Sequence, residues 1–388
     1  MAHFPKPFFK KARKLWYVEI NRKQINLGPD RDQAFRKYHE IMSQPRLVTS
    51  SKSLVYLVDV YLDWVQKNRA ADTYEWYRYR LQRFIDKYPT MNVDELRPYH
   101  VEQWVDAYDI AVTTRRNYFR SIKTCLRWAQ KQGYINSNPI ASMEIPGAEA
   151  KDVYVSPTEF DNLLDFVPDL AFRDLLTVTY HTGCRPQESL AVRDEHVDLE
   201  NSRWVFPQKE AKGKKAPRIV YLDRTALQIT QRLLSKCNGA TLFRNSFGRS
   251  WTTDAVNCSF DRIRTRMGKA ILKSQDIEPS NFDVTEKIKS LNPTKLIKGV
   301  QVSKTASELR CEAKTKLIRK LASNVAPRYC LYSLRHSWAT NSLRRGVDPL
   351  TVAILMGHKD PSTLARVYQH LAHSPEHMLE QAMKATRR

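Results

Sequence analysis

Glycine is scarce in this chain, 11 of 388 residues. A phosphate-cradling loop needs several glycines at short spacing. No such cluster occurs, so ATP-dependent chemistry is not suggested. The six cysteines stand at 125, 184, 237, 258, 311 and 330, with no Cys-x-x-Cys pair. That spread excludes a disulfide-dense secreted scaffold and the usual zinc arrangements, and it suits free, packed thiols in a reducing cytosol. No metal and no cofactor are therefore expected. No apolar run approaches the ~18 residues of a membrane span. Residues 1–14 are basic but lack an apolar signal-peptide core. A soluble, cytoplasmic protein is expected, with no membrane partner. Acidic residues are also short, 41 against 64 Lys and Arg, a formal charge of +23. Such a surplus, spread along the chain, calls for a polyanion: nucleic acid first, an anionic membrane second. The 42% hydrophobic fraction is enough for buried cores and argues against disorder.

The pattern predicts a mainly α protein with small β elements, an α+β class. Residues 1–45 read as a small module. Leu15 to Ile20 alternates as a strand, Gln24 to Leu27 as a second, and Asp32 to Met42 as a short helix. Residues 46–52 are a polar linker. Residues 53–146 read as four helices, from stripes such as Leu54, Leu57, Val58, Tyr61 and Tyr77, Leu81, Phe84. Thr113 is the expected cap of the fourth, Thr114 to Gln132, whose Arg115, Arg116 and Lys123 form a basic face. Asn138-Pro139 to Pro146-Gly147 punctuates the chain. A mostly helical domain with one short sheet is expected over 150–388. Ser156-Pro157-Thr158-Glu159 and Thr305-Ala306-Ser307-Glu308 are helix starts. Trp204 to Phe206 and Arg218 to Leu222 read as a hairpin whose loop holds Lys209, Lys212, Lys214 and Lys215.

Four short motifs carry chemistry. They are Thr182-Gly183-Cys184-Arg185-Pro186-Gln187-Glu188, Tyr332-Ser333-Leu334-Arg335-His336, Leu355-Met356-Gly357-His358, and Val367-Tyr368-Gln369-His370. Two arginines, a histidine and a tyrosine in this order resemble the tyrosine recombinases, the phage integrase family. Cleaving a phosphodiester without a metal needs a nucleophile, compensation of charge on the nonbridging oxygens, a proton acceptor and a proton donor. A guanidinium fork suits two phosphate oxygens and stays charged. A phenol can attack if it loses its proton on the way.

The resemblance implies Tyr368 as nucleophile, Arg185 and Arg335 as the phosphate clamp, and His358 as a phosphate contact that supports proton transfer. Lys212 would be the hairpin proton donor, with Lys209 and Lys214 open. Glu188 would orient Arg185 or cap its helix. Tyr332 stands where the family commonly has a histidine, so it would position phosphate or mark a weakened site. His336 is expected to pack. Phosphate contacts are expected from Lys10, Lys11, Arg13 and Lys14 of an arm-type module over 1–45. More would come from Arg115, Arg116 and Lys123 of a core-binding (SAM-like) domain over 53–146, and from Lys214 and Lys215 of a catalytic domain over 150–388. The basic stretch of about 268–327 is long for the family. The implied partners are double-stranded DNA at core or attachment sites and possible arm sites, a homotetramer on DNA, and accessory bending or directionality factors. The place of action would be the nucleoid. A type IB topoisomerase-like enzyme, a hairpin resolvase and a DNA binder with a decayed site are the alternatives.

Overall fold

The structure, a computed structural model, describes residues 7–11, 13–20, 23–43, 53–147, 153–213, 216–237, 239–297 and 299–358, with Leu379 and Met383. Tyr368, Lys214 and Lys215 lie outside these residues. The chain divides into two compact units, Met1–Ala150 and Lys151–Arg388.

The first unit opens with antiparallel strands β1 (Phe8–Lys10), β2 (Leu15–Ile20) and β3 (Lys23–Gly28), in that order across the sheet. Helix α1 (Arg31–Ser43) follows. Trp16 and Val18 alternate to one sheet face, as do Ile25 and Leu27. Ala34 and Tyr38, one helical turn apart, meet them to make a small core. The sequence reading found β2, β3 and α1. It did not find β1, a strand too short for a periodic signal. Phe9 of β1 packs on Trp16 with ring centroids 5.3 Å apart.

Four helices follow: α2 (Leu54–Asn68), α3 (Ala71–Lys87), α4 (Pro98–Asp106) and α5 (Val112–Lys131). Their apolar stripes close one core around Trp104, which packs on Phe84 at 4.9 Å and Tyr118 at 4.8 Å. Helix α5 starts earlier than expected. Ala111 is its cap residue, without a side-chain bond, and Thr113 lies inside the first turn. The backbone N–H of Arg115 already donates to Ala111 O, so the ladder begins ahead of the threonine.

The second unit holds α6 (Pro157–Asp165), α7 (Leu170–Thr182), α8 (Pro186–Ala191), β4 (Val197–Asp198), β5 (Arg203–Phe206), β6 (Arg218–Tyr221), α9 (Arg224–Leu234), α10 (Thr253–Ser274), α11 (Asn281–Lys289), β7 (Thr294–Ile297), β8 (Val300–Ser303), α12 (Ala306–Val325), α13 (Leu331–Arg344) and α14 (Pro349–Leu355). The mainly helical α+β class holds. Ser156 and Thr305 cap α6 and α12 as expected, each in a reciprocal box with the glutamate three residues on. Strands β4, β5 and β6 form one antiparallel sheet. Trp204, Phe206, Val220 and Leu222 alternate inward to pack with Phe172, Leu175 and Leu334. The β7–β8 hairpin escaped the sequence reading because it buries no apolar face: β8 is exposed throughout and Leu296 of β7 is exposed, so no inward–outward alternation marks it.

Candidate functional site: an arginine cluster around His358

Helix α7 ends at Gly183, whose φ of 61° is left-handed. A Cβ there would sit 2.5 Å from the Trp338 ring, so glycine alone fits. This turn delivers Arg185 as the cap residue of α8, with Pro186 at the first helical position. Glu188 lies one turn on and does both jobs that the sequence left open. Its Oε2 accepts from the Arg185 backbone N–H at 2.8 Å, capping the helix. Its Oε1 accepts from Arg185 Nη1 at 2.8 Å and from Arg218 Nε at 3.1 Å. Burial works to raise the Glu188 pKa. The Arg218 charge and the Arg185 hydrogen bonds outweigh burial and hold the carboxyl below its ordinary range.

Arg335, on α13, is 1% exposed. Its Nη1 donates to Gly183 O at 2.6 Å and its Nη2 to Met356 O at 2.7 Å. The same Nη2 lies 3.2 Å from His358 Nε2. Burial, and then repulsion by Arg185, lowers its pKa to about 10, which leaves it charged at neutral pH. Arg185 Nη2 donates to Gly357 O. Both clamp candidates therefore fasten the Met356–His358 turn, although they come from distant parts of the chain.

Arg218 was not singled out in the sequence. It is 8% exposed and opens β6. Besides Glu188, it donates through Nη1 to Leu355 O at 2.7 Å. Its Nη2 is buried without a partner among the described residues. Gly357 has φ 68°, and a Cβ there would lie 3.0 Å from the Arg218 side chain and 3.1 Å from Arg185 Nη1. A signal for Arg218 existed in the strand pattern. It shares the inward register of Val220 and Leu222, where an apolar residue is expected.

His358 Nε2 receives the Arg335 donor, so the neutral ring carries its hydrogen on Nδ1, an assignment from hydrogen bonding. That Nδ1 is buried and has no partner among the described residues. Burial, then Arg335, Arg185, His336 and Arg218, push the His358 pKa down to about 4. Three guanidinium groups face one carboxylate here, and the surplus positive charge is poised for an anion.

The depressed pKa has a stability consequence. The fold favours neutral His358, so its contribution is full above the ordinary histidine value of 6.5 and is lost as pH falls towards about 4. His358→Gln is expected to flatten that part of the profile. Urea unfolding at neutral and acid pH measures it; an unchanged pH dependence would place His358 in solvent.

Tyr332 and His336 lie one turn apart on α13, with ring centroids at 5.3 Å. They line a hollow beside the cluster, and Tyr332 is exposed. Lys212 stands exposed on the β5–β6 turn, without an ion pair among the described residues. The turn is tied down two residues earlier, where Glu210 Oε2 meets the buried His196 Nε2 at 3.1 Å. With Glu195 these two could hold a metal ion. The imidazole Nδ1 already accepts from Arg193 N–H, and Arg193 Nη1 pairs with Glu195 at 2.7 Å.

The proposed DNA contacts fall into two groups. Lys11, Arg13 and Lys14 are exposed, while Lys10 bonds Gln24 and sits 4.9 Å from the Tyr17 ring centroid. On α5, Arg115 pairs with Asp106, Arg116 donates to Pro146 O, and Lys123 donates to Met143 O. Arg120, part of the basic face read from the sequence, and Arg127, which was not singled out, are exposed on the same helix.

Two family patterns match this chain: the phage integrase SAM-like domain over residues 53–145 and the phage integrase family over 154–282 and 288–374. The tyrosine recombinase XerC of Oceanobacillus iheyensis is 23% identical over 349 residues, 84% of this chain and 95% of XerC. IntQ of Escherichia coli (strain K12) is 24% identical over 268 residues; the match spans 66% of this chain but only 60% of IntQ. The Tn1549 transposon integrase in complex with transposon right end DNA has a similar fold, with TM-score 0.56 and 16% identity over 85% of this chain and 99% of that one. A lambda integrase tetramer bound to a Holliday junction gives 0.53 and 13%, over 93% and 97%. Among the described residues no helix is long and apolar enough to cross a membrane. With more than half of its residues matched by that second pattern, this chain belongs to the phage integrase family.

Proposed function

We propose that this chain is a site-specific DNA recombinase that cuts and rejoins DNA through a 3′-phosphotyrosyl intermediate, integrating or excising a mobile element. The convergence of Arg185 and Arg335 on the Gly357–His358 turn carries this reading. Their forks compensate charge on the nonbridging oxygens as the pentacovalent phosphorus forms. The Tyr368 oxygen attacks phosphorus as its phenolic proton passes to solvent water. The bond to the 5′-oxygen breaks, and Lys212 protonates the leaving hydroxyl. His358 offers its Nδ1–H to a phosphate oxygen. Glu188 and Arg218 act as positioning residues through Arg185 and the Leu355 carbonyl. A 5′-hydroxyl from a second duplex reverses the step, so bond energy is conserved and no ATP is consumed. Two such exchanges pass through a Holliday junction within a tetramer on two DNA sites. This work would be done on DNA at the nucleoid.

Nicked suicide duplexes from a pooled library test the reading. A covalent DNA adduct mapped to Tyr368, and absent in Tyr368→Phe, is the expected result. An adduct on another tyrosine would overturn the residue assignment. Tight DNA binding without any adduct would support a decayed site.

A further inference from the structure

Two hollows adjoin in the second unit and share Asp261 as a wall. The first, about 500 Å³, is lined by Tyr332 and His336 of α13 together with Phe260 and Arg328. It opens beside the helix that carries Arg335. The second, about 580 Å³, lies between α10 and α12, where Arg262, Thr265, Arg319, Lys320 and Ser323 line it. The two helices touch at Gly268, where a Cβ would lie 2.0 Å from Ala322 O. That close crossing gives the groove firm walls.

The charges of this region are unevenly matched. Lys314 pairs with Glu278, Lys304 and Lys316 with Glu312, and Lys289 with Glu286. On α10, Arg264 and Arg266 donate to the carbonyls of Ala326 and Phe166. Arg262, Arg319 and Lys320 have none of these uses: among the described residues they form no ion pair, not even with Asp261. Three exposed cations in one groove repel one another. A row of phosphates relieves that repulsion, and counterions released from DNA add to it.

We propose that this track holds the sugar-phosphate backbone of duplex DNA beside the phosphate being cut, with Arg262, Arg319 and Lys320 each taking one phosphate. The inference rests on the recombinase reading. Phosphate contacts set register and affinity but do not read bases, so the track carries no target choice.

The test measures binding of the full chain to a labelled duplex of random sequence across a salt series. Each of Arg262→Ala, Arg319→Ala and Lys320→Ala is expected to reduce the slope of log affinity against log salt by about 0.9. A fourfold rise in salt then costs each variant about 3.5-fold less affinity than it costs the parent. Asp261→Asn is expected to tighten binding, which a misfolded variant would not do. Lys289→Ala, whose lysine is already paired, leaves the slope unchanged. A triple variant with the parent slope, or weaker binding by Asp261→Asn, would overturn the proposal. Suicide-duplex trapping on the same proteins separates the two readings. Adduct formation with unchanged slopes removes the track alone. Reduced slopes with no adduct in the parent remove the recombinase reading and leave a DNA-binding groove.

Discussion

Arg335→Lys is expected to slow formation of the covalent DNA adduct by about 10²–10³-fold, the usual loss when one donor to a developing oxyanion is removed. The guanidinium spans Gly183 O, Met356 O and His358 Nε2 at once. An ammonium is a compact point charge and cannot keep all three while facing a phosphate. Arg335→Ala goes further, because two buried carbonyls lose their donor at about 1–3 kcal/mol each. Single-turnover cleavage of a nicked duplex, run beside thermal unfolding, separates the effects. Lysine should hit rate more than stability, and alanine should hit both. A lysine variant that cleaves at the parent rate would remove Arg335 from the phosphate clamp.

Glu188→Gln is expected to cost about 3–5 kcal/mol of stability, since removing one partner leaves buried charge uncompensated. Glu188 is the carboxylate that bonds both Arg185 and Arg218, and its side chain is 12% exposed. For a unit of this size that is roughly 6–20 °C in Tm. Bound duplex should recover part of the loss, because phosphate supplies the missing negative charge. The pH dependence has a definite sign. The folded carboxyl is held below its ordinary pKa, so its stabilisation is present above the ordinary value and fades as pH falls through the folded one. Parent and variant curves should therefore converge in acid. Calorimetry with and without DNA checks both points, and a constant gap at all pH values would show that Glu188 is not the counter-charge.

Much of the architecture was legible because its causes are local. The Ser156 and Thr305 caps, the Trp204–Phe206 alternation and the α2–α5 stripes each depend on residues within a turn or two. Arg185, Arg335 and His358 were singled out because the short motifs around them resemble those of the phage integrase family; Arg185 also caps a helix and His358 follows a left-handed glycine. Strands β7 and β8 face solvent and so carry no apolar alternation, and Thr113 looked like a cap although the helix starts before it.

By itself the sequence determined the longer helices, the β2–β3 and β5–β6 strands, the surplus positive charge and the residue types available for phosphate chemistry, since all of these follow from composition and short-range spacing. Tertiary structure alone decided which of those residues meet. Arg218 bonds a glutamate 30 positions away and a carbonyl 137 away, and Arg335 bonds a carbonyl 152 away. It also decided which cations are already engaged. Arg116 and Lys123 look like surface charges in a linear reading but hold the Met143–Pro146 segment, while Arg262, Arg319 and Lys320 stay uncommitted in a groove. Helix and strand signals arise from neighbours along the chain. Charge state and partnership arise from burial and from contacts between distant segments, and His358, neutral beside three arginines, owes its pKa to those.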